Sequence, residues 1–534
     1  MRNHRLLFWT VLFLGSCVLV APLLTIEIPP IVDYPNHLAR LYVLAHGASD
    51  PWLSKMYKPR WEIIPNLGID LLVPWSLSFL PLHIAGRIML ALTLLLPVYG
   101  TIAYHRALFQ RLSFWPLGSL MVAYNLIFFL GFHNVLLSYG VALLSSAVFC
   151  KTLRRNPITN TVIGAACTIV AFFTHIVGCA LLLFIIFVHK MFYVGEAWPD
   201  WRRLGRALLI QGSGFALIAL APFGLYLASP LATAPVDNSW VSGIDKLKFL
   251  LSPVLNYYPI LDLVTAGILT IILFVVGIYA RSNVSRTAAT VAAALFIAYP
   301  YLPSETKTAT FVDVRFVIFL GFLIFCVFDP RNLPRTAILA IGIPMVSLFL
   351  VRTGSVAWVW YNERPDLAAV RETIKPIPPG SRVLVVVAQG PGGGRFAAWG
   401  DPALQPGAPT GRFLSITGIP TYWFIGALIT IERHAFWPLL FSSDSKQPLA
   451  VLPPFDQLAV ANGALPRYQG LALDNIPAAD LKNFPYVANW RSRFDYVLVL
   501  NAGLAGNLRH FLPDRLEFLD QTNFAALFRI KKQG

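Results

Sequence analysis

Residues 31–40 read Ile-Val-Asp-Tyr-Pro-Asn-His-Leu-Ala-Arg, so an acid, an imidazole and a guanidinium fall within eight positions, Asp33 to Arg40. The run directly follows the first apolar segment of the chain. Ionisable groups beside hydrocarbon are costly and mark functional sites. Asp33 suits a general base, or a carboxylate that stabilises developing charge. The competing role is structural: Asp before Tyr-Pro is a good helix start, with Asp33 as N-cap and Pro35 in the first turn. A cap alone does not explain His37, four residues on and over the same helical face. His37 and Arg40 can contact a phosphate, or lie at headgroup level as basic side chains commonly do.

Other candidates recur at one level of the chain. His133 and His175 each occupy the outward turn of an apolar hairpin, where the choice is between a satisfied turn residue and one wall of a polar cavity. Asp313 and Arg315 flank the outer mouth of a late apolar segment. They read either as a surface ion pair or with Arg315 as a bidentate donor to a lipid phosphate. Arg87 sits inside the start of an apolar run rather than at its edge, which sets it apart from a simple interfacial anchor.

These residues need a frame, and composition supplies its class. Of 534 residues, 56% are hydrophobic and only 13% charged, which excludes a soluble enzyme. Apolar runs of about 17–20 residues recur, the length a helix needs to cross a bilayer. The net charge of +16 forms no stripe or motif of a nucleic-acid binder, and basic residues of a membrane protein gather in cytoplasmic loops. All five cysteines lie inside apolar runs, so neither a disulfide framework nor a zinc spacing is expected.

About eleven spans are predicted, near 7–25, 83–104, 114–131, 134–150, 158–174, 176–190, 207–228, 263–280, 287–302, 316–328 and 336–351. The first is an uncleaved anchor behind Arg2 and Arg5. An outer loop of about 26–82 follows it, and within that loop the apolar but short 67–80 stretch, holding Asp70 and Pro74, suits a helix lying along the interface. Loops placed inside carry at least two Lys or Arg, and the short outer turns at 132–134 and 174–175 carry none. That pattern puts the N-terminus inside and residues 352–534 outside the membrane. The chain thus divides into a transmembrane domain, 1–351, and a C-terminal domain, 352–534. In the latter, strands are expected at 382–387, 494–500 and 524–530, the first two each preceded by a helical pattern, which implies a small α/β domain. The glycine-rich run 390–394 lacks the Lys-Ser/Thr of a phosphate-binding loop.

Taken together, the chain resembles the bacterial membrane glycosyltransferases of the GT-C fold, which include oligosaccharyltransferases, protein mannosyltransferases and aminoarabinose transferases. The resemblance covers residues 1 to about 350. It rests on the acid Asp33 at the start of a long first loop, the Pro-containing 67–80 stretch, Ala85-Gly86-Arg87, the outward histidines, and Asp313-Val314-Arg315. It implies that Asp33 is the catalytic base or activates the acceptor. It also implies a polyprenyl-phosphate sugar as donor, an extracytoplasmic acceptor, contact with membrane lipids, and no cofactor. Many members carry adjacent acids, whereas Tyr34 and Pro35 follow Asp33 here, which argues against a metal site. The implied activity is inverting transfer of a sugar, with His37, Arg40, Arg87, His133, His175, Asp313 and Arg315 around the substrate. Two alternatives are a transporter or flippase of a lipid-linked glycan, and a non-catalytic assembly protein whose tail binds a partner. Fold alone does not separate the three.

Overall fold

The computed structural model describes residues 2–532, apart from 281–282, 308, 332, 389–409 and 462. The glycine-rich run Gly390–Gly394 therefore lies outside the described residues. Among the described residues, eight helices are long and apolar enough to cross a membrane, from Asn3–Leu24 to the 40-residue run Arg335–Ile374. Three of the expected spans are shorter. Arg286–Ala298 and Val312–Val327 have 13 and 16 residues. The run 114–131 is broken by Asn125, whose side chain donates to the Val122 and Ala123 carbonyls and accepts from Phe128 N at 3.0 Å. A short amide side chain that competes for backbone groups in this way ends one helix and caps the next.

The chain forms two compact units that cut across the boundary expected at 351/352. One comprises Met1–Leu24, Glu62–Ile69 and Arg87–Ala357; the other comprises Thr25–Trp61, Asp70–Gly86 and Trp358–Gly534. Most of the first outer loop thus folds with the C-terminal segment rather than with the transmembrane helices.

The first unit is helical. His133–Thr152, Pro157–Thr174, Ile176–Gly195 and Trp201–Leu227 pack around Phe149, Phe172, Leu182, Ile186 and Ile218. Gly140 lets the helix that carries it approach helix Leu82–Phe109. A Cβ there would fall 2.5 Å from Leu96 Cγ, and small residues are what permit close helix contact in lipid. An apolar cavity of about 390 Å³ opens among Phe172, Cys179, Ala216, Pro222, Phe223 and Tyr226.

The second unit carries the strands β1 (Tyr57–Pro59), β2 (Val383–Val387), β3 (Leu449–Val451), β4 (Tyr496–Leu500), β5 (Leu516–Gln521) and β6 (Ala525–Ile530). The main sheet has the order β2-β4-β6-β5, with β2 parallel to β4 and the other pairings antiparallel. β2 and β4 are buried at every position, as unbroken apolar runs require. β1 and β3 pair antiparallel through Tyr57↔Val451 and Pro59↔Leu449, which ties the first outer loop to the C-terminal segment by main-chain bonds. Helix Gly68–Ser76 shows why its sequence looked interfacial: Asp70 and Val73 are buried, whereas Leu71, Leu72 and Trp75 are exposed.

Candidate functional site

In the unit that holds Asp33, helix Tyr34–His46 begins one residue later with Pro35 in its first turn. Asp33 occupies the N-cap position, yet its carboxylate makes no capping bond. It is also the sole residue of 31–40 that is not buried. His37 is buried with its ring edge-on to Phe441, centroids 5.2 Å apart.

Arg40 corrects an expectation. Its guanidinium is fully buried and bidentate on Asp70, with Nε donating to Oδ1 at 2.7 Å and Nη2 to Oδ2 at 3.1 Å. Two opposite charges at 0% exposure must be paired, so Arg40 fastens two segments of the loop instead of facing a substrate. Tyr34 Oη lies against Gly86, where an added Cβ would be 2.3 Å from it; this gives the Gly86 of the Ala-Gly-Arg motif a packing reason. At the far end of the helix, Asp50 pairs with His434 Nδ1 at 2.5 Å and accepts from Trp52 N and Leu53 N. Burial raises the Asp50 pKa, but those two N–H groups and the imidazole outweigh it and hold it below the usual carboxylate value.

Several residues of this unit escaped the sequence reading. Asn36 donates to the Leu439 carbonyl at 2.7 Å and accepts from Phe441 N at 2.8 Å. Glu27 pairs with His83 at 3.1 Å and with Arg371 at 2.6 Å, and Arg371 donates to Glu432 at 2.7 Å. A cavity of about 40 Å³ is lined by Pro29, Pro30, Pro35, Glu363, Asp366 and Tyr422. Arg412 holds Asp366 through two bonds, at 2.7 and 3.0 Å, and reaches Asn501 Oδ1 at 2.7 Å. Glu27 was the one residue with a readable signal, being an acid between the first apolar segment and Asp33; its partners lie too far along the chain for any spacing rule.

In the helical unit, a strap at 65–69 joins the two histidine turns. Asn134 Nδ2 donates to Asn66 O and Oδ1 at 2.9 and 3.0 Å, and Asn134 Oδ1 accepts from Ile69 N. Leu67 N donates to the Phe173 carbonyl, and Ile176 N to that of Pro65. His133 is fully buried beside Phe128. His175 caps helix Ile176–Gly195 by accepting from Val177 N through Nδ1. Arg315 is brought to the first of these turns: its guanidinium lies over the Phe132 ring at 5.0 Å and Nη2 donates to the Thr310 carbonyl at 2.8 Å. Arg87 is half-buried, one turn into helix Leu82–Phe109.

Asp313 departs from expectation. It is fully buried and holds Lys246 Nζ at 2.9 Å and Ser304 Oγ at 2.9 Å. A carboxylate satisfied on both sides anchors the loop before its helix and is no surface partner for Arg315. Among the described residues no group of three or more His, Cys, Asp or Glu is arranged to hold a metal ion.

No family model matches the chain, and no curated protein matches it. Among solved structures it is similar to ArnT from Cupriavidus metallidurans bound to undecaprenyl phosphate. That match covers 99% of this chain and 98% of that one at 12% identity, with a TM-score of 0.50. The fold is ArnT-like. The apo state of the same ArnT covers 98% of this chain and 97% of that one, at 14% identity and a TM-score of 0.47. The ArnT-like fold is the polytopic helical architecture with a C-terminal strand-bearing part that the sequence led us to expect.

Proposed function

We propose that this chain is an integral membrane glycosyltransferase that moves a sugar from a polyprenyl-phosphate donor to an extracytoplasmic acceptor in the bacterial envelope. The observation that carries the reading is the end-to-end likeness to ArnT bound to undecaprenyl phosphate. It is supported by an acid that keeps partial exposure in an otherwise buried run. In this reading the N-terminus is cytoplasmic and the C-terminal part periplasmic.

The chemistry is a single displacement. The acceptor oxygen attacks the anomeric carbon, and the bond from that carbon to the phosphate oxygen breaks. The polyprenyl phosphate leaves with the bonding electrons, and the acceptor proton passes to the Asp33 carboxylate, with inversion at carbon. Positive charge beside the leaving phosphate stabilises it as it departs.

The test is Asp33→Asn in the full chain, with release of polyprenyl phosphate from the radiolabelled lipid-linked sugar pool of the source membranes as readout. Loss of a positioned base should lower turnover by about 10²–10⁴-fold at unchanged membrane abundance. Retained turnover would remove Asp33 from the reaction.

A further inference from the structure

Residues 28–35, which carry Asp33, are pinned at both ends. On the N-terminal side, Glu27 is gripped by Arg371 Nη1 at 2.6 Å and His83 Nε2 at 3.1 Å. Arg371 is itself held by Glu432 through Nε at 2.7 Å, and Arg364 Nε of the same helix, Arg364–Ile374, donates to the Thr25 carbonyl. On the C-terminal side, fully buried Asn36 exchanges two bonds with the backbone at Leu439 and Phe441. Between the pins, Pro29, Pro30 and Pro35 restrict the backbone. The turn closes through Ile31 N to the Pro29 carbonyl at 2.7 Å and Tyr34 N to that of Ile31 at 3.2 Å.

The side chains of Glu27, His83, Arg371 and Glu432 are between 23% and 36% exposed. An isolated exposed ion pair contributes little, but here one planar guanidinium bridges two carboxylates that belong to different segments. That geometry fixes direction as well as distance. An apolar contact would hold the loop down without setting its orientation.

We propose that Arg371 is a positioning residue, which acts through Glu27 to aim the Asp33 carboxylate. The C-terminal segment is then a working part of the reacting site rather than an appendage. The proposal rests on the transferase reading above and goes beyond it.

The experiment uses the full chain in lipid nanodiscs, as wild type, Arg371→Ala, Arg371→Lys and Asp33→Asn. Hydrogen exchange is read at the amides of Ile31, Tyr34 and His37, with helix Pro259–Tyr279 as internal control. Arg371→Ala should speed exchange at the three loop amides by about tenfold and leave the control helix unchanged. With the same lipid-linked sugar pool, it should lower the maximal rate of polyprenyl phosphate release by about tenfold or more at an unchanged half-saturating donor concentration. Arg371→Lys, which keeps the charge but not the fork, should recover part of both.

Unchanged exchange in Arg371→Ala overturns the clamp. So does faster loop exchange at full turnover, or a rate loss accompanied by faster exchange throughout the chain. Should Asp33→Asn stay active, Asp33 is not the base and the positioning role falls with it; loop exchange in Arg371→Ala then reports the clamp's geometry alone.

Discussion

At the scale of single residues, a conspicuous charge can be turned entirely to structural work. Arg40 lies seven positions from Asp33 in a run of suggestive residues, yet its Nε and Nη2 are turned onto Asp70. Replacing Arg40 by Met strands a buried carboxylate and should cost about 3–5 kcal/mol. The double variant Arg40→Met, Asp70→Leu removes both charges and should regain most of that. Thermal unfolding of the solubilised chain measures both. A stable double variant that has lost transfer would return Arg40 to the substrate. Asp33 stands at the cap position of helix Tyr34–His46 and keeps partial exposure, and its carboxylate does not cap the helix. Neither outcome could be read from residue type, since spacing places a side chain on a face and says nothing of its partner.

At the scale of elements, apolar length and period announced most of the helices, unbroken Val/Leu runs announced β2 and β4, and a mainly apolar run announced β6. What escaped were the features in which a local bond defeats periodicity. Asn125 interrupts an apolar run that reads as one span, and β1 and β3 are three residues each, too short to show alternation. Packing between elements offers a further check at Gly86. Alanine there would put a methyl group 2.3 Å from Tyr34 Oη and 3.1 Å from Leu38 Cδ1. Gly86→Ala should therefore destabilise by about 1–3 kcal/mol. Tyr34→Phe in the same chain should restore part of the melting temperature by removing the crowded oxygen. Equal loss in the single and double variants would mean that the tyrosine ring, not its hydroxyl, sets the spacing.

At the scale of the whole molecule, the compact unit that contains Asp33 is assembled from three separated stretches of chain. Its joints are the β1–β3 ladder, the Asn36 bonds and the Glu27–Arg371 pair. If these joints hold the first outer loop, ending the chain at Ala357 deprives residues 25–61 of their partners. Trypsin should then cut at Lys55 or Arg60 about tenfold faster than in the full chain, since cleavage follows the open population. Peptide mass spectrometry of digested membranes reads the sites. An unchanged cutting rate would show that the loop is ordered without the C-terminal segment.

The sequence by itself determined the class of the molecule, because membrane crossing depends on local quantities: run length, mean polarity, and the charge of short loops. It also singled out Asp33, since an acid beside an apolar run is conspicuous in one dimension. Only the tertiary structure decided which neighbouring charges are engaged, and that the loop bearing Asp33 folds with residues that follow it by about four hundred positions. Hydrogen bonds and ion pairs act over about 3 Å, and no periodicity in a sequence encodes which distant groups will come within that reach.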